Sequence, residues 1–376
     1  MKILITGGAG FIGQATAKAL IQKGHEVWLF DNLSPQIHGP KLLNGESLWG
    51  QLVVGDITNQ SEVVRCLSER FDVVYHFAAE TGTGQSMYKM ADYFHVNCQG
   101  TIELLQAMST LDVSARPKKL ILASSRAVYG EGSYHCASDG LVFPEERVEQ
   151  DLMKGDFELR CPVCEGKVDY VKTAEDAPYK PTSFYGLTKQ IQEQNIQMFA
   201  KIYDVDIHIL RYQNVYGPGQ SLINPYTGIL AIFSNLARSG APINIFEDGK
   251  ESRDFVFIGD VVHANVACLF SEDSSGLAIN VGFGKSTSVL AVAKTINAYF
   301  GNKSKLEISG SYRVGDIRHN VADIDRAAHI LNFKPTIPLN DGIKTFLQWA
   351  ETRDHNQNNS YEKSIDELRQ KGFMRS

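Results

Sequence analysis

Two hydrophobic periods alternate along the first 130 residues. Lys2–Thr6 is a short apolar run that stops at glycines, the signature of a strand covered on both faces. Phe11–Lys23 then sets Ile12, Ala15, Ala19 and Leu20 on one side of a helix. Glu26–Phe30, Leu52–Val54, Val73–Phe77 and Lys119–Ala123 predict further buried strands, separated by helix-like segments that include Ser61–Arg70 and Asp92–Leu111. Strands that alternate with helices predict an α/β fold built on a doubly wound parallel sheet with right-handed crossovers. Thr182–Tyr203 reads as a long helix and Asp206–Arg211 as the strand after it. Beyond Asn214 the alternation loosens into short mixed segments and a helix at Ser288–Phe300, as expected of a smaller C-terminal lobe that closes over the sheet.

Composition removes several partners. The 376 residues carry a net charge of −6 and a pI near 6.0, which advertises no basic face and predicts no nucleic-acid partner. No stretch reaches the roughly 18 apolar residues of a membrane span. The N-terminal apolar run is too short for a signal peptide and enters a glycine motif directly, which predicts a cytoplasmic protein.

That motif is Gly7-Gly8-Ala9-Gly10-Phe11-Ile12-Gly13, placed between the first strand and the first helix. Glycines are needed there because a Cβ would block a pyrophosphate or the helix–strand contact, and the helix N-terminus stabilises the anion. Asp31 stands at the end of the second strand, 18 residues past Gly13, where a carboxylate accepts ribose hydroxyls and repels a 2′-phosphate. The pattern points to NAD in a Rossmann domain over 1–212, with Asn32, Asp56 and Ile57 as further cofactor candidates. Residues 213–350 then form mainly the substrate-binding lobe, with some segments returning to the first domain, and 351–376 a polar to amphipathic tail.

Tyr185 and Lys189 are spaced i, i+4 and share a helix face. A phenol titrates near pH 10, so a neighbouring ammonium is needed to make it a useful base. Ser125, in the strand end Ala123-Ser124-Ser125-Arg126-Ala127-Val128-Tyr129-Gly130, is the candidate to hydrogen-bond the reacting hydroxyl; the bland alternative is a turn cap.

With these motifs in order, the chain resembles the extended short-chain dehydrogenase/reductases, in their nucleotide-sugar epimerase and dehydratase branch. The resemblance covers residues 1–350 and adds HFAA at 76–79, VNCQGT at 96–101, RYQNVYGPG at 211–219, ESRDFVFIGD at 251–260 and RVGD at 313–316. It implies that Ala78, Ala79 and Tyr212 line the cofactor, that Asn97 supports the site, and that Lys189 also holds the nicotinamide ribose. It implies Asn214, Arg253 and Arg313 at a substrate diphosphate, and Glu80, Thr81 and Ser86 at the sugar. Dehydratases of the branch carry Thr-Asp-Glu where this chain has Ser125-Arg126-Ala127, so their acid and base are missing. What remains implies epimerisation at C4. Sister dehydratase, reductase or decarboxylase reactions, and a non-catalytic NAD-binding regulator, are the alternatives. AETGTGQSMY (79–88), YQNVYGPGQSLINPYTGILAIF (212–233) and IFEDGKESRDF (245–255) resemble in particular bacterial dTDP-L-rhamnose 4-epimerases. Members of the branch are commonly homodimers through helices matching about 92–111 and 183–203.

One segment departs from the branch. Ser125 and Tyr185 lie 60 positions apart, and the excess over about 132–176 contains Cys136 and the knuckle Cys161-Pro162-Val163-Cys164-Glu165-Gly166. The C-x-x-C spacing with a following glycine makes Cys136, Cys161 and Cys164 candidate ligands of a structural zinc. His135 and Asp139 are both open as the fourth ligand.

Overall fold

The computed structural model describes residues 1–42, 48–224, 226, 228–272, 276–353 and 360–375. The polar run 355–359, and Pro225 and Thr227 of the resemblance motif, lie outside them. Seven strands form one parallel sheet: β1 (Lys2–Thr6), β2 (Glu26–Asp31), β3 (Gln51–Val54), β4 (Val73–His76), β5 (Lys119–Ser125), β6 (Asp206–Tyr212) and β7 (Ala278–Val281). Their spatial order is β3-β2-β1-β4-β5-β6-β7, and the chain reverses direction across the sheet between β1 and β4. Ligands of such sheets bind in the crevice outside the carboxyl ends of the strands at that reversal.

The apolar runs are explained by burial on both faces. Ile3, Ile5, Leu29 and Tyr75 point into one core, where α1 (Phe11–Gln22) contributes Ala17 and Leu20 and α4 (Ile258–Phe270) contributes Val261 and Ala264. Leu4, Phe30, Val74 and Leu120 point into the other, against Leu104 of α2 (Gly100–Ser109) and Ile196 of α3 (Phe184–Tyr203). The predicted helix over Asp92–Leu111 is interrupted: the backbone winds more widely over Phe94–Gln99 before α2 begins.

A third core, with Tyr216, Leu230, Phe233, Ile296 and Phe346, belongs to the C-terminal lobe. Among the described residues no helix is long and apolar enough to cross a membrane. In the cysteine-bearing segment, Tyr134–Cys136 pairs antiparallel with both Gly140–Val142 and Val168–Tyr170. Among the described residues of the tail, Ser360–Gln370 is a helix, and Met374–Arg375 pairs antiparallel with Tyr312–Arg313.

Candidate active site

The turn after β1 is possible only with glycine. Gly7 has φ +67°, and a Cβ there would lie 2.7 Å from the Ala78 nitrogen. A Cβ on Gly13 would lie 2.6 Å from the Gly7 carbonyl oxygen. The backbone can therefore fold closely over the N-terminus of α1, whose cap is Gly10. At the end of β2, the buried Asp31 carboxylate accepts hydrogen bonds from the Ala9 N–H (3.0 Å) and the Leu33 N–H (2.9 Å), and meets His38 Nε2 at 3.2 Å. Cradle and carboxylate thus share one wall of a cleft of about 450 Å³. An anion fits a helix end with free N–H groups and no side chain in the way, so these residues suit a dinucleotide.

Strand register sets the opposite wall. β5 and β6 pair from Lys119↔Asp206 to Ser125↔Tyr212, which puts Ser125 beside Tyr212 at the carboxyl edge. Helix α3 reaches the same place because Gly186 lets it press on the turn after β5: a Cβ there would lie 2.4 Å from the Ala127 carbonyl oxygen. Ser183 caps α3 by accepting the Gly186 N–H at 3.1 Å. Lys189 Nζ donates to the Ala123 carbonyl at 2.9 Å and stands 5.9 Å from the centre of the Tyr185 ring. Tyr185 also packs edge-on against Tyr93, with ring centres 6.3 Å apart.

The electrostatics are those of a desolvated base. Burial pushes the Tyr185 phenol above its ordinary value, while the Ser125 hydrogen bond and the nearby Arg126 charge pull it back. Burial also pushes the Lys189 ammonium down to about 7. Ser125 does act as a cap, accepting the Ala127 N–H at 3.1 Å, and this fixes the hydroxyl that faces Tyr185.

Of the cofactor candidates, Gly7, Gly10, Phe11, Ile12, Gly13 and Asp31 line the cleft, as do Asn32, Ile57, Ala78, Ala79 and Tyr212. Asp56 does not; it sits behind and accepts Asn32 Nδ2 at 3.0 Å. Asn97 is buried off the cleft, where it accepts the Glu80 N–H at 2.8 Å and donates to Thr188 of α3 at 3.0 Å. Among substrate candidates, Glu80, Thr81 and Asn214 line the cleft. Ser86 is buried beside it and donates to the Thr83 carbonyl at 2.6 Å.

Arg253 and Arg313 stand outside the lining. Arg253 is buried and donates to the Ser252, Ile317 and Arg318 carbonyls and, at 2.8 Å, to Asp316 Oδ1. Arg313 covers the Phe246 ring at 4.7 Å, and its Nε is buried without a partner. Among the cleft residues left unassigned in the sequence, two bear on the chemistry. Arg126 lines the cleft and donates to Asn214 Oδ1 at 3.1 Å; burial pushes its guanidinium down to about 10, still charged at neutral pH. Tyr226 lines it too, and its hydroxyl donates to Glu367 of the C-terminal helix at 2.7 Å. A cation directly after a strand-end serine was the available signal for Arg126; Tyr226 had none.

A doubly wound parallel sheet with a serine, tyrosine and lysine gathered beside a glycine cradle defines a dinucleotide-dependent enzyme class, and the comparisons refine it. The model of the NAD dependent epimerase/dehydratase family matches residues 3–146 and 163–282, and the chain belongs to that family. It is 38% identical over 353 residues to the dTDP-L-rhamnose 4-epimerase of Burkholderia thailandensis, covering 93% of this chain and 94% of the relative. The structure resembles UDP-glucose 4-epimerase of Thermotoga maritima with UDP-glucose, at TM-score 0.76 and 28% identity over 94% of this chain and 99% of that one. It also resembles UDP-glucuronic acid 4-epimerase of Bacillus cereus in complex with UDP-glucuronic acid and NAD, at TM-score 0.75 and 27% identity over the same shares.

Proposed function

We propose that this protein inverts C4 of a sugar carried on a nucleotide diphosphate, with NAD held in the cleft, and that the sugar is dTDP-L-rhamnose or a UDP-hexose. The observation that carries this reading is the meeting of Ser125, Tyr185 and Lys189 in one cleft with the Gly7–Gly13 cradle. The cradle would hold the pyrophosphate, Asp31 the adenosine ribose hydroxyls, and Lys189 the nicotinamide ribose. When bound, NAD supplies the acceptor and donor of a hydride, and its ring charge favours the phenolate. Tyr185 Oη removes the proton of the C4 hydroxyl and later returns it. Ser125 Oγ orients that hydroxyl, and Lys189, tethered to the Ala123 carbonyl, places its amine one helical turn from the phenol. The residues after Ser125 are Arg126 and Ala127, so no acid–base pair follows for expelling water.

In this reading Arg126 and Asn214 grip the diphosphate while the sugar turns over. Arg313, with its unpaired Nε, joins them, and Arg253 steadies the segment around Asp316. Residues 213–350 supply most of this clamp, and Glu80 and Thr81 face the sugar. A homodimer through α2 and α3 completes the proposal, since Ile102, Met198 and Ile202 are exposed on them.

The test is NMR of purified protein with UDP-, GDP-, CDP- and dTDP-sugars and no added cofactor. Axial/equatorial exchange at C4 is expected with one of them. Loss of water, release of carbon dioxide or a demand for added NADH would assign a sister reaction instead. Asp31→Ala is expected to weaken NAD binding roughly tenfold, the cost of a charged hydrogen bond, and to narrow its preference over NADP. Calorimetry with both dinucleotides checks this; unchanged selectivity would remove Asp31 from the ribose site.

A further inference from the structure

We propose that Cys136, Asp139, Cys161 and Cys164 bind one structural zinc ion in a closed, four-coordinate site. The residues come from two places in the chain. Cys136 ends the central strand of the small sheet, and Asp139 lies in the turn that leads into Gly140–Val142. Cys161 and Cys164 belong to a tight knuckle in which the Cys161 N–H donates to the Gly166 carbonyl and the Glu165 N–H to the Cys161 carbonyl, both at 2.9 Å. The Val163 N–H points at Cys161 Sγ from 3.5 Å, an orientation that favours a thiolate. A Cβ on Gly166 would lie 3.3 Å from Cys164 Sγ, so the glycine leaves that sulfur room.

The four donor atoms converge, all within 4.8 Å of one another. Asp139 Oδ2 lies 3.3 Å from Cys136 Sγ and 3.2 Å from Cys161 Sγ, and the Cys136 and Cys164 sulfurs are 3.5 Å apart. Zn–S bonds of about 2.3 Å and a Zn–O bond of about 2.0 Å, arranged tetrahedrally, give edges of roughly 3.5–3.8 Å. The three observed edges match these to a few tenths of an ångström. A disulfide needs sulfurs about 2.05 Å apart, and an odd number of thiols cannot all pair. His135 is excluded as the fourth ligand: it is exposed while its strand neighbours Tyr134 and Cys136 are buried, so it points to the opposite face.

The segment gains from such a cross-link. The core between its three short strands is small, with Tyr134, Cys136, Val142, Leu159 and Cys161, and Val168 against them, while its Leu152 and Phe157 pack elsewhere, on Tyr312. None of the four donors lines the active-site cleft, so the ion has no substrate to meet. What it would fix is a brace. Tyr170 stacks on His319 with ring centres 4.5 Å apart, the Thr173 N–H donates to the Val321 carbonyl at 2.8 Å, and Glu158 pairs with the buried Arg318. The Arg318 carbonyl in turn accepts Arg253 at 3.0 Å. On binding, zinc displaces the thiol protons to solvent and is held by three thiolates and one carboxylate.

Purified protein is expected to carry one zinc per chain by elemental mass spectrometry, and X-ray absorption is expected to read three sulfurs and one oxygen at the metal. After chelation, re-addition of zinc alone should restore protection of three thiols from a thiol reagent. Asp139→Ala should retain zinc at least about tenfold more weakly, since even outer-shell losses cost that much. No zinc in the native protein, a Cys136–Cys164 disulfide under non-reducing mass spectrometry, or a metal shell without sulfur would each overturn the assignment. The native-protein measurements decide the matter even where a cysteine variant fails to fold.

Discussion

Tyr185→Phe is expected to abolish epimerisation, by about a thousandfold or more, and to leave NAD bound. The substitution deletes one oxygen and keeps the ring. The edge-on contact with Tyr93 survives, and so does the packing of α3 on the turn after β5. What disappears is the phenol oxygen that the Ser125 hydroxyl faces. Positioned proton transfer contributes roughly 10²–10⁴-fold. The loss should be at the upper end, because the neighbouring amine is already engaged. Lys189 Nζ already donates to the Ala123 carbonyl and is held against the strand. The cradle around Gly7–Gly13 and the Asp31 carboxylate belong to the other end of the cleft, so dinucleotide content should match the parent protein. Initial rates by NMR together with NAD released on denaturation check both halves. Turnover within tenfold of the parent would move the base to another residue.

Much of this arrangement was legible in the chain, for physical reasons that also mark where legibility stops. β1, β2, β4, β5 and β6 announce themselves because a parallel strand buried on both faces carries a short run of apolar residues. β7 does not: its Asn280 is fully buried because it accepts the Tyr129 hydroxyl and donates to the Thr173 and Asp323 carbonyls. A polar residue satisfied by contacts distant in sequence breaks the pattern without leaving another. The tail behaves similarly. Its polar start hides a helix whose Ile365 and Leu368 pack near Tyr88 and Phe246, and whose Glu367 ties Tyr88 and Tyr226 together. Tyr185 and Lys189 were readable because one helix carries both. Arg126 offered only its place after the strand-end serine, since its partner Asn214 lies 88 positions away in the chain. Asp139 could not be told from His135 until strand pairing fixed which side chains share a face.

The largest stability effect is expected behind the site rather than in it. Arg211→Met should cost about 3–5 kcal/mol, the range for removing one partner of a buried ion pair. Arg211 and Glu193 are both buried, on β6 and α3, and meet through two bonds, Nε to Oε1 at 3.0 Å and Nη2 to Oε2 at 2.7 Å. Arg211 also donates to the Tyr129 and Tyr179 hydroxyls and to the Glu175 carbonyl, each at 2.9 Å. Glu193 accepts the Ser124 hydroxyl and, at 2.7 Å, that of Tyr179. Methionine fills a similar volume but leaves a carboxylate in the interior with no counter-charge. With an unfolding entropy of about 2.1 cal/mol/K per residue, the loss corresponds to a Tm drop of roughly 4–6 °C. Arg211→Met combined with Glu193→Leu should recover most of it, because the stranded charge is gone. Ser124 precedes Ser125 on β5, and Glu193 lies one helical turn beyond Lys189. Slackening this pair therefore lets the serine and the tyrosine–lysine helix drift apart, and kcat should fall in the single variant along with Tm. Calorimetric melts of the parent, both single variants and the double variant measure the coupling directly. A single-variant loss below about 1 kcal/mol, the value of an exposed pair, would mean that water reaches Glu193 and that the serine and the helix are held together by something else.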